Sequence, residues 1–406
     1  MAKPAAILDI GSSKLVCLVG STAEDGGLTV HGASVTPYPG FSEDGFEDEE
    51  VLREKVSEAV RKAEQESRVR IREVAVSVPG MFTGMLLTEA RRRIEGKGNR
   101  ITEEDVSALV SGTPEEPAGS DALWMHSVPV RFTLDGRVTH DSPVGRKAEE
   151  AAALVSHMYA YRFFTEPLER ALAAADTEVS MYLSQTLASA LTVIPEAERD
   201  RFAVLIDVGY GVTDVAVIEG SALTGLRTIA MGGKQFASDL SFGTGIPMQY
   251  AEIVKRRYVF GQEPLSPVEI VRMPEGPKKI RHKVIRLIMD ARMGEFISLL
   301  RGAMAEMGVS PDDDPAVYLT GGGLTMMKGS VEYMKRALGL TVRRDIPYLP
   351  EMDTPNYTSA FGTLDLALRT AGSLYPEAER TGERKNERIS RVFQRIRGIY
   401  HVRTGL

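Results

Sequence analysis

Cysteine, tryptophan and long apolar runs are nearly missing from this sequence. Cys17 is the single cysteine among 406 residues. No internal disulfide can form, which suits a reducing compartment. There is no run of about twenty apolar residues, the length a helix needs to cross a bilayer. The opening "MAKPAAILDIG" has no charged-then-apolar leader, so a cytoplasmic chain is expected. Trp124 and the six histidines show no ligand spacing, and no structural metal is expected. The pattern G-x-x-x-x-G-K-[ST] does not occur, which excludes a P-loop protein. Acidic residues outnumber basic ones, for a net charge of −7, and this argues against general nucleic-acid binding.

The rest of the composition is ordinary for a globular chain, 43% apolar and 26% charged. The length predicts about two or three domains. Charge is spread unevenly. Between Arg384 and Arg403 stand seven Lys/Arg and one acid, Glu387, giving +6 there and −13 for the remainder. An acidic body therefore ends in a basic tail.

Apolar runs alternate with helical patterns, which predicts an α/β architecture. "AAILDIG", "LVCLVG" and "EVAVSVP" have strand character. "DEEVLREKVSEAVRKAEQES" (48–67) places Val51, Leu52, Val56, Ala59, Val60 and Ala63 at helical spacing. From about 81 to 160 the pattern changes, and an inserted subdomain is expected. It holds a short helix with Thr102 as N-cap and Asp105 three residues on, then strand-like "LWMHSVPVRFTL". Helices are predicted for "PLERALAAADTEV", for "YLSQTLASALTVI" (182–194) and across 277–308.

Two segments match each other. "ILDIGSSKLVCLVG" (7–20) and "LIDVGYGVTDVAVIEG" (205–220) are each an apolar strand, an Asp, a Gly turn and a second apolar strand. Gly11, Gly209 and Gly211 let backbone N–H groups approach an anion closely. Ser12, Ser13 and Thr213 add hydroxyls, and Lys14 adds a cation. Asp9 and Asp207, at strand ends, suit Mg²⁺ held through its waters. Two such hairpins facing each other would grip a triphosphate. A third element, "YLTGGGLTMMKG", sets Gly321, Gly322 and Gly323 between strand and helix, where a flat nucleoside can pass near the backbone.

In this order the three turns resemble those of the actin, sugar kinase and Hsp70 superfamily. Within it the chain resembles the FtsA family of bacterial cell-division proteins. The resemblance runs from about Ala5 to Gly372. It rests on "DIGSSKLVCLVG", the insertion after "VSVPG", "LASALTVIPEAERDRFAVLIDVGYGVTDVAV", "SDLSFGTGIPMQYAEIVKRRY", "YLTGGG" and "TSAFGTLDLAL".

The resemblance implies an actin-like fold of two related domains around a nucleotide cleft, with ATP and Mg²⁺ as cofactors. Residues 1–80, 161–200 and 351–375 would form the first domain and 81–160 the insertion. Residues 201–258 with 301–350 would form the second domain and 259–300 its small subdomain. Residues 376–383 would link these to an amphipathic segment, 384–406. Gly11, Ser12, Ser13, Lys14, Gly209, Tyr210, Gly211, Val212 and Thr213 would line the phosphates. Gly232, Gly233, Glu252, Lys255 and Gly321 to Gly323 would line the nucleoside. Tyr210 stands where relatives carry a third consecutive glycine, and Val212 where a hydroxyl residue is common.

Hydrolysis needs a group that orients the attacking water. The helix that would present it offers Gln185, and residues 180–194 contain no glutamate. At most weak ATPase activity is expected, with ATP acting as a clamp on conformation and polymer contacts. A small-molecule kinase on this fold would need a carboxylate base, and no convincing one is apparent. A pilus-assembly-type actin relative is a further alternative.

The basic tail points to a membrane anchor. On a helical wheel, Ile389, Val392, Phe393, Ile396, Ile399 and Tyr400 fall within about 120° of one another. Arg388, Arg391 and Arg395 line one flank, Arg397 the other, and Lys385 can snorkel from the apolar side. This is the pattern of a helix lying in an anionic membrane interface. The competing possibility is a helix that packs on the body or on a partner. The resemblance adds self-assembly into filaments, the acidic C-terminal peptide of the tubulin-like FtsZ, and other divisome proteins as partners, at the cytoplasmic membrane of the division septum. "PKKIRHKVIR" would receive the peptide through Lys279, Arg281, Lys283 and Arg286, where charge complementarity suits the role.

Overall fold

The computed structural model describes residues 4–23, 27–95, 98–111, 121–344 and 354–370. The basic tail, with Lys385, Arg388, Ile389, Arg391, Val392, Phe393, Arg395, Ile396, Ile399 and Tyr400, lies outside the described residues, as does the linker before it. Among the described residues no helix is long and apolar enough to cross a membrane.

The chain divides into two compact units. One comprises 1–202, 217–226 and 359–406, the other 203–216 and 227–358. The first unit is organised on a five-stranded sheet. Its order is Glu178–Ser184, Glu73–Val78, Ala5–Ile10, Lys14–Thr22, Leu28–Pro37. The central strand Ala5–Ile10 pairs antiparallel with Lys14–Thr22 and parallel with Glu73–Val78. Both of its faces are covered, so Ile7, Leu8 and Ile10 are all fully buried; this is why it reads as a continuous apolar run and not an alternation.

The same order recurs in the second sheet, as Val342–Arg344, Ala316–Thr320, Ala203–Val208, Thr213–Glu219, Ala222–Ile229. Again a central strand has a hairpin on one side and parallel strands on the other. The repeated sequence device is therefore the first hairpin of each sheet.

The helix Glu49–Ser67 begins where Asp48 accepts from the backbone N–H of Glu50 at 2.9 Å and of Val51 at 3.1 Å. It buries Leu52, Val56, Ala59, Val60 and Ala63, a stripe predicted by spacing. Residues 83–161 build a separate antiparallel sheet, Thr83–Arg93, Glu150–Tyr161, Ala122–Leu134, Arg137–Thr139. The helix Glu103–Val110 starts at the Thr102–Asp105 capping box. Val106, Leu109 and Val110 bury with Ile94, Ile101, Phe132 and Val155, each such side chain contributing about 1.5–3 kcal/mol.

Three element boundaries differ from the sequence pattern. The helix predicted across 277–308 begins only at His282, because Gly276–Arg281 forms a hairpin with Val268–Met273. "YLS" at 182–184 is the end of a strand, so Gln185 is the first residue of the helix Gln185–Val193. The helix assigned to 167–179 is Arg162–Ala173, which begins five residues earlier and carries Pro167 in its interior.

Candidate functional site

The first candidate loop joins Ala5–Ile10 to Lys14–Thr22. The Gly11 N–H donates to the Lys14 carbonyl at 3.0 Å and closes the turn. Behind it, the Tyr38 N–H donates to the Ser13 carbonyl at 3.3 Å. Gly40 adopts φ +105°, and a Cβ there would lie 2.4 Å from the Ser12 oxygen, so only glycine allows this approach.

Asp9 closes the floor of the loop and is 4% exposed. Its Oδ1 accepts from Ser77 Oγ at 2.6 Å and from Gln185 Nε2 at 2.7 Å. Its Oδ2 accepts from Ser359 Oγ at 2.9 Å. Neutral donors thus hold the carboxylate in place, and Oδ2 retains acceptor capacity. Such a carboxylate fits a magnesium ion held through its own water shell, the usual manner for Mg²⁺. Burial pulls the Lys14 ammonium down to about 8, against an opposing attraction from Asp9.

The second loop repeats the first turn. The Gly209 N–H donates to the Val212 carbonyl at 2.9 Å, again from the glycine two residues after the aspartate to the residue three further on. The Thr213 hydroxyl donates to the Met231 carbonyl at 2.7 Å, so its proton is committed within the protein. Lys234 and Gly233 send their N–H groups to the carbonyls of Tyr210 and Gly209, at 2.7 and 3.0 Å. This fixes the helix Gly233–Thr244 against the loop.

The triple glycine packs on the same strand end. The Gly323 N–H donates to the Val208 carbonyl at 2.7 Å. A Cβ on Gly323 would lie 2.1 Å from the Gly209 oxygen, and one on Gly321 would lie 2.4 Å from Asp207 Oδ1. Asp207 is thereby gathered with Gly209, Gly232, Gly233 and Gly321 to Gly323.

Lys255 and Glu252 complete this corner from the helix Met248–Arg257. Lys255 is 3% exposed; its Nζ donates to the Gly233 carbonyl at 3.0 Å and pairs with Glu252 Oε1 at 2.8 Å. Desolvation lowers its pKa, with Glu252 opposing. Glu252 Oε2 is buried without a hydrogen-bond partner among the described residues, a position that calls for a donor. The Tyr210 ring centroid lies 6.0 Å from Lys255 Nζ, so this side chain is directed to the Glu252–Lys255 corner.

The basic stretch splits between two elements. Lys279 and Arg281 are exposed on the strand, opposite Ile270 and Val268 in register. Lys283 is exposed on the following helix, and Arg286 is occupied by Glu263 and Asp290. Sequence reasoning assigned no role to Ser77 and Ser359, the other two donors to Asp9. They sit in "VSVPG" and "TSAFG", stretches notable only for their resemblance.

The profile of the family "Cell division protein FtsA" matches residues 204–362. FtsA of Pseudomonas aeruginosa is 24% identical over 372 residues, covering 89% of this chain and 88% of that protein. FtsA of Bacillus subtilis is 23% identical over 373 residues, covering 90% and 83%. Among solved structures, a PilM–PilN type IV pilus biogenesis complex superposes with a TM-score of 0.61 at 17% identity, over 90% of this chain and 98% of that one. MreB5 of Spiroplasma citri bound to ADP gives 0.52 at 13% identity, over 89% and 95%. These two likenesses establish the actin-like fold. With that fold, the chain is similar in sequence to FtsA cell-division proteins along nine-tenths of its length.

Proposed function

We propose that the chain is an ATP-binding, polymerising actin-like protein that anchors the FtsZ ring to the cytoplasmic membrane and recruits other divisome proteins to the septum. The observation that carries this is the pair of Asp–Gly turns closed by the same hydrogen bond, at 3.0 Å from Gly11 and 2.9 Å from Gly209, in a chain aligned with FtsA. The loops at 11–14 and 209–213 take phosphate oxygens through backbone N–H groups and the Lys14 charge. Glu252 Oε2 accepts from a ribose hydroxyl, and Lys255 and the glycines at 232–233 and 321–323 shape the nucleoside position. Asp9 and Asp207 orient the water shell of the Mg²⁺ that arrives with ATP.

Gln185 has its amide nitrogen held on Asp9 and near the Ile10 carbonyl at 3.3 Å. Its oxygen is the group left to orient a water, a weak device without a carboxylate base. ATP then serves mainly to shift conformation and assembly.

The basic tail, 384–406, lies on anionic lipid as a short amphipathic helix. One copy binds weakly, and an assembled array binds firmly by avidity. Lys279 and Arg281, with Ile270 beside them, receive the acidic FtsZ peptide.

Co-sedimentation with anionic liposomes tests this function, using the full chain and residues 1–383, with and without Mg-ATP. The full chain alone should pellet, and more so with ATP. If neither pellets, the anchored scaffold is excluded, and a soluble assembly role on the same fold takes its place.

A further inference from the structure

One side chain of the inserted sheet meets the end of the strand that leads into Gln185. His126 lies mid-strand in Ala122–Leu134 and is 2% exposed. Its Nε2 accepts the backbone N–H of Ser184 at 3.3 Å. Ser184 ends the strand Glu178–Ser184, an edge of the five-stranded sheet. On its inner side that strand pairs with Glu73–Val78, Ser184 standing opposite Val78. An edge N–H has no ladder partner, and buried it must find another acceptor; His126 supplies it.

Ser184 is also the N-cap of the helix Gln185–Val193, its Oγ accepting from the Leu187 N–H at 3.2 Å. The next residue is Gln185, whose amide meets Asp9 Oδ1 at 2.7 Å. The path is short: imidazole, one backbone N–H, the adjacent side chain, the carboxylate. Burial pushes His126 down to about 4, so near neutral pH the ring is uncharged and its nitrogen can accept.

We infer that His126 is a positioning residue, coupling the inserted sheet to the Asp9–Gln185 end of the nucleotide loop through the Ser184 N–H. A change in the inserted sheet that withdraws His126 frees the strand-to-helix corner and lets Gln185 swing off Asp9. This rests on the proposed nucleotide-binding function of that loop.

A double-mutant cycle on the full chain tests it, with Mg-ATP affinity as the readout. His126→Phe keeps a ring and removes the acceptor; His126→Gln keeps an acceptor. The expected result is roughly five- to tenfold weaker Mg-ATP binding for H126F, by loss of a buried hydrogen-bond acceptor. H126Q should recover to within about twofold, and H126F should have no further effect in the Q185A background. Additive effects of H126F and Q185A, or unchanged affinity in H126F, overturn the coupling while wild-type binding stands. Absence of Mg-ATP binding by the wild type overturns both the coupling and the nucleotide function.

Hydrogen–deuterium exchange on the wild type gives a second measure, needed if H126F fails to fold. Mg-ATP should protect 122–134 and 180–187 together. Protection confined to 180–187 overturns the coupling.

Discussion

The side-chain amide of Gln185 donates to Asp9 Oδ1 at 2.7 Å across 176 residues of sequence. Ser77 and Ser359 donate to the same carboxylate from two further segments. Four stretches of chain therefore agree on the position of one charge. If that charge orients the water shell of Mg²⁺, Asp9→Asn should weaken ATP binding about tenfold in the presence of Mg²⁺. It should change binding little in EDTA. Equal losses in both conditions would show that Asp9 only shapes the loop.

Lys14 gives the loop a pH dependence. Burial holds its folded-state pKa at about 8, below the ordinary 10.5. Between these values the unfolded chain binds more protons than the folded one. Stability of the nucleotide-free protein therefore rises with pH across that window, and Lys14→Met should remove the rise. A bound polyphosphate favours the charged form, so Mg-ATP affinity should fall as pH rises through about 8. Titrations at pH 7 and 9 should separate wild type from Lys14→Met, whose binding should be weak and nearly flat.

Gly323→Ala tests the third turn. Its Cβ would lie 2.1 Å from the Gly209 oxygen, and the neighbour is backbone. Relief requires the two loops to part. Nucleotide binding should be lost, with destabilisation of about 2–4 kcal/mol in chemical denaturation. Gly294→Ala, where a Cβ would meet nothing within 4 Å, should leave binding unchanged and serve as the control.

Charge reversal separates the two halves of the basic stretch. Arg281→Glu, on the exposed face of the strand beside Lys279, should weaken binding of an acidic FtsZ C-terminal peptide about tenfold at low salt. Arg286→Glu should cost less affinity, because Arg286 already faces Glu263 and Asp290. Fluorescence anisotropy with the labelled peptide would read both. Unchanged affinity in Arg281→Glu would exclude this strand as the docking face.

In the tail, Phe393→Glu puts a charge into the apolar stripe. Liposome binding should be abolished with Mg-ATP affinity unchanged. Vesicle binding retained by this variant would mean that the segment packs on protein.

Much of the local structure is legible in the sequence. Local signals announced the turns: Asp then Gly after an apolar run, and three glycines between strand and helix. The stripe from Leu52 to Ala63 gave the first long helix by period alone. The Thr102–Asp105 box marked the helix of the insertion. Where local signals conflicted, the pattern misled. "PKKIRHKVIR" carries helical spacing, yet its first half pairs with Val268–Met273 because a hairpin partner lies a few residues upstream. Tertiary pairing overrode propensity there.

The sequence by itself determined the two Asp–Gly turns and the residue types they present: the glycines that free the backbone, the lysine and the aspartates, since these depend on residue type and local turn. Only the tertiary structure decided which side chains hold Asp9 and which one ties the inserted sheet to Ser184. Hydrogen bonds across 68, 176 and 350 residues leave no periodicity in the chain, and a single serine, glutamine or histidine acquires its role only when the fold supplies its partner.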